Sequence, residues 1–192
     1  MKPTLMDPFS LTLDITSGQL KPATSHVQRR LSHMRGMYGD AVAEQTLLEQ
    51  DDPLIYEVFQ YDVPNDNGQL LVCTTVLYPG QVGNEYYMTK GHYHVKADAA
   101  EVYLVLSGCG KLLMQVDDRF SVLDIGPGTV AYVPPYWAHR TVNTGRTPCV
   151  FLAVYPADAG HDYGRIERDG FLQRVVAHAG EPRLISTHKQ AS

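Results

Sequence analysis

The sequence predicts an all-β barrel or sandwich, and three observations carry that prediction. Short apolar runs recur from Ile55 onward, over residues 55–61, 70–78, 85–95, 101–106, 111–116, 130–133 and 149–155, at a density that suits strands rather than helices. Turn-forming residues separate them at Asn65-Asp66-Asn67-Gly68, Pro79-Gly80, Ser107-Gly108, Asp117-Asp118 and Gly126-Pro127-Gly128. Helical patterning is confined to one early stretch.

Taken in order, residues 1–24 alternate short apolar pairs with Pro, Ser and Gly. Leu11-Thr12-Leu13-Asp14-Ile15 followed by Ser17-Gly18 reads as a strand and a turn. Residues 25–50 read as helical, with Asp40 as the candidate cap and Val42, Leu47 and Leu48 near helical spacing. The strand runs follow, and residues 186–192 read as a frayed tail. With no internal repeat, low-complexity tract or linker, the chain reads as one structural domain. An N-terminal strand-and-helix extension over 1–54 packs on a barrel over 55–185.

With 44% apolar and 19% charged residues, the composition is that of an ordinary globular chain. Sixteen Lys and Arg against twenty-one Asp and Glu give a net charge of −5, which argues against a nucleic-acid or anionic-membrane partner. An anionic small molecule stays open if local groups bind it. Cys73, Cys109 and Cys149 are odd in number, widely spaced and without a C-x-x-C pair, so neither a disulfide framework nor a cysteine zinc knuckle is expected. Met1-Lys2-Pro3-Thr4 leads into no apolar segment, and the uncharged stretch 68–84 is broken by Pro79, Gly80 and Gly83. A cytoplasmic protein is expected.

The chemistry concentrates around Thr89-Lys90-Gly91-His92-Tyr93-His94. Residues two apart on a strand project from one face, so both imidazoles of His-x-His reach one ion. Glu101 follows at an odd offset, which requires an intervening turn, supplied by Lys96-Ala97-Asp98-Ala99-Ala100. Beyond it Glu101, Tyr103 and Val105 share one strand face, and Val102, Leu104 and Leu106 the other. A carboxylate opening an apolar strand is costly to bury unless something compensates it, and a metal ion would. The fourth candidate is His139, among strand-forming residues after the turn at Gly126-Pro127-Gly128. Three imidazoles and one carboxylate suit a first-row divalent ion and leave two neighbouring octahedral positions open, an arrangement for catalysis. The plain alternative is a set of ordinary hydrogen-bonding residues on strands.

His92-x-His94, Glu101 and Gly108 resemble the first motif of the cupin superfamily, and Gly128, Pro134, His139 and Asn143 resemble its second. That resemblance implies a double-stranded β-helix (jelly-roll) barrel with a metal inside. Two departures stand out: the spacing from His94 to Glu101 is longer than in most cupins, and Tyr136 occupies a position that is usually Gly. Both resemble the archaeal-type, cupin-type phosphoglucose isomerases. So do Thr74-Thr75-Val76-Leu77-Tyr78-Pro79-Gly80, the segment Tyr132-Val133-Pro134-Pro135-Tyr136-Trp137-Ala138-His139, and Tyr155-Pro156-Ala157-Asp158-Ala159-Gly160-His161-Asp162-Tyr163-Gly164.

The resemblance implies interconversion of glucose 6-phosphate and fructose 6-phosphate, a glycolytic and gluconeogenic step. It proceeds through metal-stabilised enediolate or hydride-shift chemistry. The ligands are His92, His94, Glu101 and His139, holding one divalent ion per subunit, Fe2+ by family likeness, with Mn2+, Ni2+, Co2+ and Zn2+ also accepted by such a donor set. Glu101 is the general base if a proton is transferred and only a ligand if hydride shifts. Tyr155 and His161 resemble residues that relay protons or assist ring opening; otherwise Tyr155 packs its ring in the barrel and His161 is a loop histidine. Tyr56, Thr75, Thr89, the Gly91 N–H and Tyr163 are the neutral phosphate donors by resemblance, with Tyr103 also facing the substrate. From the residues alone Thr75 and Thr89 are strand filler and Gly91 a bulge glycine.

Lys90 and Arg140 alternate to the opposite face and read as surface or interface charges, and Arg29, Arg30 and Arg35 as a solvated or interface-facing helix face rather than a nucleic-acid site. His26, His33, His178 and His188 have no partners at ligand spacing. Apolar residues on both faces of several strands predict a homodimer. The rival readings are a metal-dependent dioxygenase on the same ligand set and a non-catalytic sugar-phosphate-binding barrel.

Overall fold

A computed structural model of the chain describes residues 5–187. The expectations for Met1-Lys2-Pro3-Thr4, His188 and most of the tail lie outside the described residues. The chain opens with a small antiparallel pair, β1 (Thr12–Leu13) and β2 (Leu20–Lys21). In the turn between them Asp14 Oδ1 accepts the Thr16 N–H at 2.9 Å, and Gly18 has φ +75°. A Cβ on Gly18 would lie 2.8 Å from Val150 Cγ1, so the hairpin turn sits directly on the sheet behind it.

Residues 25–50 are not one helix. Ser25–Arg30 form β3, an edge strand with strictly alternating burial, paired antiparallel with β4 (Leu54–Tyr61). Only Val27 is apolar here, so local propensity is weak and the backbone partner offered by β4 decides the conformation. A 3-10 turn at Leu31–Met34 follows, with Leu31 and Met34 fully buried. The helix α1 (Ala41–Gln50) starts where the sequence places its cap: Asp40 Oδ1 accepts the N–H groups of Val42 at 3.1 Å and Ala43 at 2.9 Å. Leu47 and Leu48 pack on the core, whereas Val42 is 78% exposed and belongs to the outer side of the first turn.

The barrel strands are β5 (Leu70–Leu77), β6 (Gln81–Val82), β7 (Glu85–Tyr86), β8 (Glu101–Ser107), β9 (Gly110–Val116), β10 (Arg119–Ile125), β11 (Val130–Val133), β12 (Ala138–Asn143) and β13 (Cys149–Pro156). A short helix α2 (Gly164–Asp169) precedes the hairpin β14 (Gln173–His178) and β15 (Glu181–Ser186). One layer is a six-stranded sheet in the order β11-β8-β13-β5-β4-β3. The other is built from β10-β9-β12 and β15-β14-β7-β6. Single bridges Met88↔Val142 and His92↔His139 link these two across the segment after β7. Buried Tyr103, Val105 and Phe151 of the first layer and Leu112 and Met114 of the second belong to one core. The expected all-β jelly-roll architecture is what the strands build.

The expected strand over 85–95 ends at Tyr86 and continues only as bridges. Gly91, at φ +74°, interrupts the extended backbone there. The tail begins later than expected: Ser186 closes β15, and Thr187 donates its N–H to the Leu172 carbonyl at 3.0 Å. Tyr136 has φ +73°, a left-handed conformation that explains why glycine suits this position. Its N–H donates to the Ala97 carbonyl at 2.7 Å, tying this turn to the 96–100 turn that precedes Glu101.

Candidate metal and substrate site

Side-chain alternation on five neighbouring strands aims one row of residues into a cavity of about 270 Å³. Arg29 of β3, Tyr56 of β4, Thr75 of β5, Tyr155 of β13, and Glu101 and Tyr103 of β8 all line it. The opposite wall comes from Thr89, Gly91 and His92, from His139 of β12, and from His161 and Tyr163. The last two flank Asp162, whose N–H donates to the Tyr93 carbonyl at 2.8 Å while the Tyr93 N–H returns a bond at 3.2 Å. That bridge holds the loop before α2 against the His-x-His segment.

His92, His94, Glu101 and His139 converge, with one ligand atom from each lying within 4.8 Å of every other. Glu101 opens β8 on its buried face, as the alternation of Glu101, Tyr103 and Val105 requires. The turn expected between His94 and Glu101 is present, closed by the Ala99 N–H on the Lys96 carbonyl at 2.9 Å. His94 Nδ1 lies 3.0 Å from the Ala99 carbonyl, a bond that puts its proton on Nδ1 and frees Nε2 for the cluster. His139 Nδ1 faces the Trp137 carbonyl at 3.5 Å. His139 Nε2 comes within 2.9 Å of Glu101 Oε2 without the alignment of a hydrogen bond, and His92 Nε2 is buried with no protein partner. His94 Nε2 reaches Glu101 Oε2 at 3.2 Å, but the Nε2 atoms of His92 and His139 are left unsatisfied, so three inward ring nitrogens around one carboxylate fit a cation between them.

The electrostatics follow from that packing. Burial would raise the Glu101 pKa, but the His139 and His94 imidazoles pull it down to about 2, so the carboxylate is ionised at neutral pH. Burial and then the neighbouring His139, His161 and His94 hold the His92 pKa well below its ordinary value, leaving the ring neutral and able to ligate. Burial opposes charge on His94 too, yet its bonds to Glu101 and Ala99 outweigh this and raise its pKa.

Around the cluster, His161 stands edge-on to His92, ring centroids 4.3 Å apart, and its pKa is lowered chiefly by burial. Tyr155 donates its hydroxyl to Gln60 Oε1 at 3.0 Å, and burial raises its pKa far above the usual phenol range. Both are neutral polar groups beside the cluster. Tyr103 stacks on Phe151 with centroids 4.7 Å apart and lies edge-on to His139.

At the other end Tyr56, Arg29 and Tyr163 influence one another. Burial raises Tyr56 while Arg29 opposes the shift, and Tyr163 is pushed up to about 12 by burial, then by Tyr56. Thr89 Oγ1 accepts the Thr141 N–H at 3.0 Å, which leaves its hydroxyl proton available to a ligand. Thr75 is 6% exposed and its backbone pairs with Val58 and Phe151. Gly91 is more than a bulge filler, since a Cβ there would meet Phe171 Cε2 at 2.8 Å and Arg140 Cβ at 3.1 Å.

Two expectations about charge fail. Arg29 is not on a solvated helix face: β3 aims it into the cavity, which a reading of 25–30 as helix could not show. Arg140 does point away from His139, but the far side is a second buried region, and the residue is only 3% exposed. Its guanidinium lies 4.4 Å from the Phe171 ring centroid and donates to the Lys90 carbonyl at 2.7 Å. Lys90 in turn pairs with Glu167 and lies 5.5 Å over the Tyr163 ring. Gln60 was invisible to spacing arguments, having only strand alternation to mark it.

Known proteins resemble this chain over nearly its whole length. Residues 28–190 match the family described as Glucose-6-phosphate isomerase (GPI). Glucose-6-phosphate isomerase of Thermococcus litoralis is 51% identical over 178 residues, covering 91% of this chain and 92% of that protein. The Thermococcus gammatolerans enzyme of the same name is 49% identical, over 93% of this chain and 94% of its own length. Glucose-6-phosphate isomerase of Sinorhizobium medicae is 36% identical over 92% of this chain and 84% of its own. With a match across nearly its whole length and the His-x-His, Glu and His cluster inside a β-barrel, the chain belongs to the glucose-6-phosphate isomerase family, in its cupin-type form.

Proposed function

We propose that this protein interconverts glucose 6-phosphate and fructose 6-phosphate, with one divalent ion held by His92, His94, Glu101 and His139. The observation that supports it most is the pairing of that donor cluster with Arg29 and the neutral polar residues Tyr56, Thr75, Thr89 and Tyr163 in one cavity. Aldose-ketose exchange moves hydrogen between two adjacent carbons that both carry oxygen. A bound divalent ion supplies Lewis-acid polarisation of such oxygens. Iron is our choice of ion, by family likeness.

The chain's own groups do the rest. Glu101 presents an ionised carboxylate to the reacting carbons. Tyr155 and His161, both neutral, serve the sugar hydroxyls as donor and acceptor during proton relay and ring opening. Tyr103 bounds the substrate on the β8 side. Tyr56, Thr75, Thr89, Tyr163 and the Gly91 N–H surround the phosphate, and Arg29 adds the positive charge that neutral donors lack. The net charge of −5 is therefore compatible with a dianionic substrate, because the binding charge is local.

Thr89→Val should raise KM with kcat largely kept. Arg29→Met should raise KM for fructose 6-phosphate by about tenfold or more, the loss expected for one charge-assisted hydrogen bond. Steady-state kinetics checks both, and an unchanged KM in both variants would remove the phosphate from this end of the cavity. The function itself is tested by following conversion of fructose 6-phosphate in a coupled assay while recording oxygen uptake. Conversion without oxygen uptake is expected; oxygen uptake without conversion would favour the dioxygenase reading, and binding without either the non-catalytic one.

We further propose a cytoplasmic homodimer. Among the described residues no helix is long and apolar enough to cross a membrane. On the outer face of β8 and β11, Val102, Val130 and Tyr132 are 38%, 68% and 56% exposed, a patch that pairing with a second copy would cover. Light scattering should give a dimer for the parent chain and a monomer for Tyr132→Glu; a monomeric parent would contradict this.

A further inference from the structure

Between β7 and β8 the chain is pinned to β12 on both sides of residues 90–91. The Thr89 N–H donates to the Thr141 carbonyl at 2.8 Å, and the His92 N–H donates to the His139 carbonyl at 3.2 Å. The Lys90–Gly91 peptide lies between these anchors, in the left-handed turn at Gly91, and β12 gives it no rung of the ladder. What holds it is a side chain: Arg140 Nη2 donates to the Lys90 carbonyl at 2.7 Å.

A trans peptide is planar, with its C=O and N–H pointing in opposite directions. The carbonyl of this unit belongs to Lys90 and its N–H to Gly91. Arg140 approaches from the side of Phe171 and α2, whereas Gly91 borders the substrate cavity. A guanidinium fixing the carbonyl from behind therefore turns the amide proton to the front. A charge-assisted bond to the oxygen also polarises the amide and strengthens the N–H as a donor.

We propose that Arg140 is a positioning residue for the phosphate: it sets and strengthens the Gly91 N–H as a phosphate donor without touching the substrate. The inference rests on the sugar-phosphate reading above and assigns a role to a residue that strand alternation sends away from the site. Three further observations bear on it. Arg140 is held in place, its guanidinium over Phe171, and Gly91 has no Cβ in the space where one would lie 3.1 Å from Arg140 Nε. A buried guanidinium is expensive unless it is compensated. Here Glu85, itself 3% exposed, accepts Arg174 Nη1 at 3.3 Å and the Gly39 N–H at 2.8 Å, and its charge favours the cationic form of Arg140.

The test compares Arg140→Gln and Arg140→Lys with the parent in the metal-loaded enzyme. KM and kcat for fructose 6-phosphate, the inhibition constant of inorganic phosphate, and bound metal are measured together. Arg140→Gln is expected to raise KM and the phosphate inhibition constant in parallel by about tenfold, one charge-assisted bond's worth, with metal content kept and kcat changed less. Arg140→Lys, which keeps the charge and one donor, should fall between it and the parent. In an amide spectrum titrated with inorganic phosphate, the Gly91 proton should move downfield in the parent and less in Arg140→Lys. The amide readout on Arg140→Lys decides the matter if Arg140→Gln does not fold.

Loss of metal and kcat with an unchanged phosphate inhibition constant would overturn the proposal, since Arg140 would then only brace His139. So would a Gly91 amide that responds to phosphate equally in Arg140→Lys and the parent. A parent enzyme inert towards fructose 6-phosphate would instead sink the functional reading. A parent that is active while Arg140→Gln keeps parental KM would sink only this inference.

Discussion

His139→Ala is expected to abolish turnover, by more than about a thousandfold, and to release the bound ion in the same step. Loss of a group that merely orients a ligand costs 10- to 100-fold in affinity or activity, so losing a ligand itself should cost more. The residue is 1% exposed on β12, and truncation leaves the Glu101 carboxylate without the neighbour that most favours its charge. The fold should survive, since the backbone pair between His92 and His139 does not need the side chain. His92→Ala supplies the independent check, because its ring is the other one whose Nε2 is buried with no protein partner. Elemental analysis, circular dichroism and the isomerase assay on both variants read the outcome. Folded protein that keeps both metal and turnover would remove the cluster from the chemistry.

Glu101→Gln is expected to be nearly as damaging, and the parent's isotope pattern separates the two roles open to this residue. The amide keeps the shape of the side chain but removes the charge and the basic oxygen. Since the neighbouring imidazoles hold the Glu101 pKa well below the usual carboxylate range, the parent presents an ionised carboxylate at neutral pH, able to act as base and as charged ligand. Conversion in deuterated water distinguishes the roles. Deuterium entering the product carbon means that a proton leaves the substrate for an exchangeable group, and Glu101 is the carboxylate placed to take it. Product without deuterium means internal hydrogen transfer, with Glu101 acting through the ion alone. In either case Glu101→Gln should cost at least about a hundredfold in kcat; parental turnover would exclude both roles.

The four residues of the cluster were legible in the sequence because their geometry depends on local rules. Strand-like projection brings His92 and His94 to one side, a short turn corrects the offset of Glu101, and His139 lies in a run of strand-forming residues, β12. The strands β4, β5, β8, β9, β11 and β13 announced themselves as apolar runs bounded by turns. The hairpin strand β10 did not: Phe120 and Val122 are half-buried and alternate with polar residues over an exposed edge. β3 was misread because Val27 is its only apolar residue, and what makes it a strand is β4, reached across the intervening helix. Arg29 was missed for the same reason, since a residue aims into a cavity only once its strand is placed. For Arg140, alternation correctly sends the side chain away from His139, but no spacing rule says whether the far side is solvent or a second buried layer. Phe171 and the 164–171 segment cover it.

The most direct measurement strips the purified enzyme with a chelator and titrates a divalent ion back while following fructose 6-phosphate conversion. Activity should vanish on stripping and return linearly, reaching its plateau at one ion per subunit, with no recovery for His139→Ala at the same ion concentrations. Full activity in protein shown to be free of metal, or equal recovery in the variant, would contradict a centre built from three histidines and a glutamate.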